Sequence, residues 1–308
     1  MIRRPDYKSY AKSYYGTKYG GEIFMILVTS ANGKSGRSII KQLVKQGLAV
    51  KATDIAPETT NLIEEFGVKE VCVGDLTKLS VIKQALENVT QIVFIPPLFS
   101  AQEYFIGKAL IDEAEKQGIK QFVMVSVTHP IMSTLLQHTA KRDIEEYLVY
   151  KGLTTHLSYT ILQPMHYMHN FNPNAVKENN CYVSFYDIHT KLSYVDSDDV
   201  GEVVAKVLTE DTHDGATYEL VSDEYLSPIE MIEIYNNTFS AQAKAQYMDI
   251  YDFMEMIQLD DIYSRQAFVQ LAETYSKYGI FGNSTVLAQL LGRKPTSFRK
   301  YLTREMQQ

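Results

Sequence analysis

A turn of small residues near the N-terminus carries the clearest chemical pattern in the chain. It reads Thr29-Ser30-Ala31-Asn32-Gly33-Lys34-Ser35-Gly36 and joins an apolar run of strand length to a helical pattern. Glycines in such a turn let the backbone approach a pyrophosphate, and the following helix presents free N–H groups to negative charge. The spacing is that of G-x-x-G-x-x-G with Ser30 in the first position, where a side chain disfavours positive φ. The turn therefore predicts dinucleotide binding. The residues expected to contact the cofactor here are Thr29, Ser30, Asn32, Gly33, Lys34, Ser35 and Gly36.

The end of the next predicted strand indicates which dinucleotide binds. Asp54 should face the adenosine ribose, where an acid accepts hydrogen bonds from the hydroxyls and repels a 2′-phosphate. Ile55 offers no cation for that phosphate. Asp54 could instead begin a surface turn before Pro57, and Lys51 or Lys34 could reach a phosphate. The pattern favours NAD(H) over NADP(H).

A helix predicted over residues 135–150 carries the candidate proton donors. Hydride transfer needs a group that supplies or removes a proton beside the nicotinamide. Tyr147 and Lys151 have Tyr-x-x-x-Lys spacing, but Lys151 precedes Gly152, which is expected to cap the helix, and Tyr147 shares an apolar face. Lys141 is the better candidate, either to bind the nicotinamide ribose or to act as an acid. The alternative for Lys141 is a solvated helix lysine.

These residues need a scaffold that brings distant segments to one edge. Continuous apolar runs alternate with helical patterns, which is typical of a doubly wound parallel sheet covered by helices. Strands are predicted over residues 23–28, 48–54, 71–73, 91–95, 122–127 and 159–162. Right-handed crossovers place the carboxyl ends of such strands, and the ligand, along one edge. The sequence therefore predicts a Rossmann-type α/β fold.

The chain divides into three predicted regions. Residues 1–22 read as a loosely ordered extension, and residues 23–165 as the dinucleotide-binding Rossmann domain. Residues 166–308 read as a smaller, mostly helical substrate or partner lobe that is partly interleaved with the Rossmann sheet. We expect this lobe to pack over the mouth of the cofactor site.

Composition excludes several classes of function. The 308 residues carry a net charge of −7 with a pI of about 5.6 and no dense Lys/Arg cluster, which argues against direct nucleic-acid binding. Cys72 and Cys181 lie far apart without metal-ligand spacing, so neither a disulfide framework nor a metal site is expected. No apolar run approaches the roughly 18–20 residues of a membrane span. Arg3 and Arg4 are followed by polar residues rather than the apolar region of a signal peptide, and we expect a cytoplasmic protein.

Several segments, taken in order, resemble the NmrA-like group of atypical short-chain dehydrogenases/reductases. The phosphate turn corresponds to the family's T-G-A-T-G-x-x-G pattern. Further matching segments are Gly74-Asp75-Leu76, Val125-Ser126-Val127-Thr128-His129-Pro130, His138-Thr139-Ala140-Lys141 with Ile144-Glu145, Thr160-Ile161-Leu162-Gln163-Pro164, Tyr167-Met168-His169-Asn170, Val195-Asp196 with Asp199-Val200-Gly201, and Leu290-Leu291-Gly292-Arg293-Lys294-Pro295-Thr296-Ser297-Phe298. The resemblance covers nearly everything after residue 22.

The resemblance implies further site residues. Asp75 and Leu76 would border the adenine, and Pro96 and Pro97 would line the cofactor cleft. A functional lysine is implied at the position of Lys141. The remaining candidates are Ser126 and Pro164 for the cofactor and Tyr167 as a weaker catalytic residue.

Two functions remain open at this stage. The first is an oxidoreductase that uses NAD or NADP to reduce a small, fairly apolar carbonyl, quinone or enone, which Lys141 and the Tyr- and Met-rich lobe favour. The second is a non-catalytic redox sensor that binds NAD(P) and acts through a regulatory protein partner. Gln137 stands where a catalytic tyrosine would lie and cannot exchange a proton at neutral pH, which favours the sensor, as does Ser30. The sequence leans towards the enzyme, as a monomer or homodimer.

Overall fold

The computed structural model describes residues 24–307, and their core is a parallel sheet with helices on both faces. The strands are β1 (Met25–Val28), β2 (Ala49–Asp54), β3 (Glu70–Val73), β4 (Gln91–Phe94), β5 (Gln121–Val125), β6 (Ser158–Pro164), β7 (His166–Tyr167), β8 (Cys181–Ser184), β9 (Leu192–Val195), β10 (Ala216–Leu220), β11 (Tyr225–Leu226) and β12 (Lys244–Tyr247). The helices are α1 (Lys34–Lys45), α2 (Leu62–Phe66), α3 (Leu79–Leu86), α4 (Glu103–Lys116), α5 (Leu136–Thr154), α6 (Pro173–Asn179), α7 (Ser197–Thr209), α8 (Pro228–Phe239), α9 (Ile250–Met256), α10 (Ile262–Tyr278), α11 (Thr285–Leu291) and α12 (Phe298–Glu305). The extension predicted over residues 1–22 lies outside the described residues.

The main sheet has the order β10-β6-β5-β4-β1-β2-β3, and each strand is parallel to its neighbours. The predicted Rossmann-type fold is therefore confirmed. The strand order reverses between β1 and β4, and ligands of such sheets bind in the crevice at this switch point. The turn after β1 and the loop after β4 border that crevice.

Helices cover both faces because the central strands are apolar on both sides. All four residues of β1 are buried, as expected for a strand between two helical layers. Apolar side chains of α1 and α7 pack on one face, and those of α3, α4 and α5 pack on the other. The helix N-termini next to the carboxyl ends of the strands therefore surround the crevice.

The C-terminal part of the chain is interleaved with this sheet. Strand β10 and helix α7 come from beyond residue 165, yet β10 extends the sheet and α7 packs on α1. Two smaller sheets, β11-β9-β7 and β12-β8, and the helices α6 and α8 to α12 form the remainder. Helix α10 reaches back to the loop after β4, where Ser264 Oγ donates to the Phe99 carbonyl at 3.1 Å and the Phe268 ring contacts the Phe99 ring.

Two local expectations were wrong. Gly152 does not cap α5, which continues to Thr154; a Cβ at Gly152 would lie 2.3 Å from the Tyr159 ring, so the glycine makes room for that ring. Lys51 is not free to reach a phosphate, because its Nζ donates to the carbonyls of Gln84 and Glu87 at 2.9 and 3.0 Å. Within residues 24–307, no helix is both long enough and apolar enough to cross a membrane.

Candidate cofactor and active site

The turn after β1 is held in shape by hydrogen bonds to the end of β4. Ser30 adopts a φ of 46°, the left-handed conformation that glycine normally provides at this position. Its Oγ donates to the Ile95 carbonyl at 2.8 Å, and Thr29 Oγ1 accepts from the Ile95 N–H at 2.8 Å. The serine thus takes the backbone conformation of the missing glycine, and its side chain ties the turn to the sheet.

The two glycines of the turn make a close backbone approach possible. A Cβ at Gly36 would lie 2.3 Å from the Ser30 carbonyl oxygen, so no other residue fits without moving the turn. Gly33 immediately precedes α1 and, having no side chain, makes no side-chain hydrogen bond to the N–H groups at the start of the helix. The first N–H groups of a helix have no intrahelical partner and attract anions. The turn therefore fits the pyrophosphate of a dinucleotide.

Asp54 lies at the end of β2 beside this turn. Its two carboxylate oxygens accept from the backbone N–H groups of Asn32 and Ala56, at 3.0 and 3.3 Å. A cation that the sequence reasoning missed lies close by: Arg37 donates from Nη1 to Asn32 Oδ1 at 3.3 Å, and its other Nη pairs with Glu65. The sequence did contain a signal for this cation, because Arg37 directly follows Gly36 in the first turn of the predicted helix. The ribose end of the predicted site thus contains both an acid and a partly exposed arginine.

Asp75 and Leu76 precede α3, as the resemblance implied. The Asp75 carboxylate accepts from the Thr77 N–H at 2.9 Å and from its hydroxyl at 2.7 Å, and these bonds lower the pKa of Asp75. Leu76 is half-buried against the apolar cluster of α3, α4 and α5. Asp75 therefore shapes the loop next to the expected adenine position, and contact with adenine remains a prediction.

Lys34 belongs to the phosphate turn, and Tyr167 lies against the same turn beside Ser35. Lys34 Nζ donates to the His169 carbonyl at 2.9 Å, which joins the turn to the segment after β7. The Tyr167 ring stacks on the His169 ring with centroids 4.7 Å apart. Burial raises the pKa of Tyr167, an effect that the nearby Ser35 hydroxyl opposes. The Tyr167 hydroxyl therefore keeps its proton at neutral pH beside Ser35 of the phosphate turn, and its catalytic role remains a prediction.

Lys141 is buried, which contradicts the alternative of a solvated helix lysine. The residue is 8% exposed, and its Nζ donates to Glu103 Oε1 at 2.6 Å. Glu103 is the first residue of α4, is fully buried and was missed by the sequence reasoning. Burial raises the pKa of Glu103, and the charge of Lys141 opposes that change. An ion pair thus lies between α4 and α5.

Further polar side chains lie along the same helix. Glu145, one turn after Lys141, accepts from Gln163 Nε2 at 3.0 Å through each carboxylate oxygen. Burial raises the pKa of Glu145, and the hydroxyl of Ser126 at the end of β5 and the amide of Gln163 oppose the change. Gln137, one turn before Lys141, is 6% exposed, and its Oε1 has no hydrogen-bond partner among residues 24–307. The helix therefore presents a row of buried and half-buried polar groups, of which Glu145 lies near the carboxyl ends of β5 and β6.

The candidate prolines lie at the same edge of the sheet. Pro96 is buried and Pro97 half-buried in the loop after β4, and Pro164 ends β6. The Pro164 carbonyl accepts from the Thr128 N–H at 3.0 Å, which fixes the loop after β5. The structure thus brings the loops after β4, β5 and β6 together.

His138 is held neutral beside these groups. Burial lowers the pKa of His138 to about 4, and its Nδ1 lies 3.0 Å from the His129 carbonyl oxygen. His129 Nε2 lies 2.7 Å from the Phe281 carbonyl oxygen and so links the loop after β5 to the segment after α10. These two histidines connect the sheet edge to the C-terminal lobe.

Tyr147 and Lys151 occupy the other end of α5. The Tyr147 hydroxyl donates to Asp112 at 2.5 Å, and Lys151 pairs with Asp112 and Glu115 at 2.8 and 2.5 Å. These acids raise the pKa of Lys151. Both side chains are bound to α4 far from the helix N-terminus, so this spacing does not serve the crevice.

Two relatives and one solved structure match most of the chain. Quinone oxidoreductase 2 of Escherichia coli (strain K12) is 24% identical over 281 residues, covering 89% of this chain and 96% of the relative. The NAD(P)H azoreductase of Xenophilus azovorans is 24% identical over 216 residues, covering 67% of this chain and 71% of the relative. The crystal structure of an NADPH-dependent quinone oxidoreductase from Escherichia coli complexed with NADPH superposes with a TM-score of 0.72 at 21% identity, covering 92% of this chain and 100% of that one.

The family model extends over the same region. The NmrA-like family model matches residues 24–305, from the first described strand to the end of α12. The resemblance seen in the order of the sequence segments is therefore confirmed. The chain belongs to the NmrA-like family.

Proposed function

We propose that the protein is an NAD(P)H-dependent oxidoreductase that reduces a small, fairly apolar carbonyl, quinone or enone. The observation that carries the proposal is the buried Lys141 amine on α5, which pairs with Glu103 of α4 on the sheet face opposite α1. The names of the relatives, a quinone oxidoreductase and an azoreductase, support the same class of reaction.

The residues divide between holding the cofactor and handling a proton. The turn from Ser30 to Gly36 would bind the pyrophosphate, and Asp54 the adenosine ribose. A bound nicotinamide supplies the hydride that reduces the substrate carbon. Lys141 Nζ would donate a hydrogen bond to the nicotinamide ribose or a proton to the substrate oxygen that gains charge. Ser126 would contact the cofactor at the same end.

For the cofactor we favour NAD(H), because the carboxylate of Asp54 would repel a 2′-phosphate. Arg37 supplies a cation within the same loop cluster, although Glu65 neutralises it. The solved quinone oxidoreductase is complexed with NADPH, but that choice of cofactor is a property of that protein and is not carried over to this chain.

Turnover assays test the proposed function. Purified protein is mixed with NADH or NADPH and a panel of quinones and aldehydes, and absorbance of the reduced cofactor is followed. We expect turnover, and Lys141→Ala should lower kcat by about 10²- to 10⁴-fold, the usual contribution of a positioned proton donor. The matched control is Lys151→Ala, which removes the lysine at the other end of α5 and should leave kcat unchanged.

A non-catalytic sensor is the second candidate, and Gln137 favours it. This side chain lies four residues before Lys141, where an acidic hydroxyl would be useful, and it cannot transfer a proton at neutral pH. Calorimetry separates the candidates: tight NAD(H) binding without turnover of any acceptor would contradict the enzyme and support the sensor.

A further inference from the structure

The ion pair between α4 and α5 is buried far more deeply than the other lysine–carboxylate pairs around the sheet. The side chains of Lys141 and Glu103 are 11% and 0% exposed, with Nζ and Oε1 2.6 Å apart. A carboxylate taken out of water loses several kcal/mol of solvation, which one ion pair does not fully restore. Such a pair contributes little to stability when compared with apolar side chains of the same volume.

Close packing of the two helices makes the pair possible. Gly107 lies one turn after Glu103 on α4, and a Cβ there would lie 2.9 Å from Ile144 Cδ1 on α5. Ile144 in turn lies one turn after Lys141. The glycine therefore lets α4 approach α5 closely enough for the carboxylate to reach the amine.

Hydrogen bonding is incomplete at the ion pair and also one turn before Lys141 on α5. Glu103 Oε2 and Gln137 Oε1 are buried and have no hydrogen-bond partner among the described residues. Buried polar atoms without partners are rare, and each costs roughly 1–3 kcal/mol. The Glu103 carboxylate therefore keeps one oxygen without a partner while its other oxygen holds the Lys141 amine, a costly arrangement that stability alone does not explain.

Three elements contribute the titratable groups around the pair. Helix α4 supplies Glu103, helix α5 supplies Lys141 with the neutral His138, and α10 supplies Tyr263. Burial raises the pKa of Tyr263, and the charge of Glu103 adds to that effect, so the phenol stays neutral near pH 7. Glu103 is thus the group that supplies the counter-charge to Lys141.

We propose that Glu103 is a positioning residue for the reaction: its carboxylate fixes Lys141 Nζ at the crevice and keeps the amine protonated until the substrate oxygen accepts the proton. This inference rests on the proposed function. Without the carboxylate, the buried ammonium has no counter-charge, and burial alone favours the neutral amine. Activity that needs the protonated amine then disappears at a lower pH than in the wild type.

The test is the pH dependence of kcat in Glu103→Gln, which keeps the shape of the side chain and removes its charge. We expect the alkaline limb of the profile to move down by about one to three pH units, the range for loss of a close opposite charge. Since this substitution leaves the cofactor turn intact, KM for the cofactor should change less than kcat, and lowering the pH should restore activity.

The matched control is Glu113→Gln on the same helix. Glu113 is also buried, at 6% exposed, but it contacts Gln117 and Lys116 rather than α5, so the profile should match the wild type. If Glu103→Gln fails to fold, Glu103→Asp keeps the charge at a greater distance and should give an intermediate alkaline limb. An alkaline limb that is unchanged in Glu103→Gln overturns the proposal.

A second readout separates this inference from the proposed function. The ¹³Cε and ¹⁵Nζ chemical shifts of labelled lysine report the charge of Lys141 directly, with its signal assigned by its loss in Lys141→Ala. These shifts should titrate at a lower pH in Glu103→Gln than in the wild type, whether or not an acceptor is turned over. No turnover with a shifted titration would reject the enzyme alone, whereas turnover with an unshifted titration would reject the role of Glu103.

Discussion

The ion pairs at the two ends of the predicted cofactor site differ in how far they are exposed to water. At the phosphate end, Arg37 and Glu65 pair where their side chains are 33% and 43% exposed. At the other end, Lys141 and Glu103 pair with almost no access to water. Exposed pairs are screened and contribute little, whereas in a buried pair each charge depends on the other. The comparison shows that the pair beside the phosphate turn is open to water, whereas the pair that contains the proposed proton donor is shielded from it.

Breaking the buried pair should give the largest effect. Lys141→Met leaves the Glu103 charge without a partner and should lower the free energy of unfolding by about 3–5 kcal/mol. Removing the exposed lysine of the Lys206–Glu210 pair by Lys206→Met should cost no more than about 0.5 kcal/mol. Urea unfolding at pH 7 measures both.

The double variant Lys141→Met with Glu103→Gln is the control for that prediction. It removes both charges, so most of the lost free energy of unfolding should return. Equal destabilisation by the two single lysine variants would contradict the difference between the buried and the exposed pair.

A change in the phosphate turn should have an intermediate effect. Gly36→Ala places a Cβ 2.3 Å from the Ser30 carbonyl oxygen, whereas at Gly33 the same contact is 3.3 Å. We expect Gly36→Ala to lower the free energy of unfolding by about 1–3 kcal/mol through overpacking. It should also weaken NAD(H) binding in calorimetry more than Gly33→Ala does. Equal effects at the two positions would mean that the turn tolerates a shift of its backbone.

The smallest expected effect concerns cofactor choice. Asp54→Ala removes the acid that repels a 2′-phosphate and leaves Arg37 nearby, so affinity for NADP⁺ should rise about tenfold relative to NAD⁺, or about 1.4 kcal/mol. Calorimetric titration of wild type and variant with both dinucleotides measures the ratio. If the wild type already binds NADP⁺ more tightly, the assignment of Asp54 is wrong.

Local patterns were enough to predict the scaffold. Continuous apolar runs such as β1 predict buried parallel strands, and the turn after it predicts a helix start with free N–H groups. Ser30 was expected to disfavour the turn, yet its hydroxyl bonds to Ile95 and stabilises the conformation that its Cβ opposes. The compensating contact lies 65 residues away in the chain, beyond what a local pattern reveals.

The burial of Glu103 beside Lys141 could not be predicted from local sequence patterns. Glu103 looks like a favourable acid at a helix N-terminus, and such residues are normally solvated. Its burial follows from packing between α4, α5 and α10. Gly107, on the buried side of α4 with Ile106 and Leu110, was a local sign of a close approach between helices.

The close approach at Gly107 has a consequence for how this site can diverge among relatives. A larger residue there would push α4 away from α5 and separate Glu103 from Lys141. Loss of either charge alone leaves the other buried and uncompensated, so single-step replacements are disfavoured. Positions 103, 107 and 141 should therefore vary as a set: relatives with another residue in place of the lysine should also have lost the acid and should accept a bulkier residue at 107.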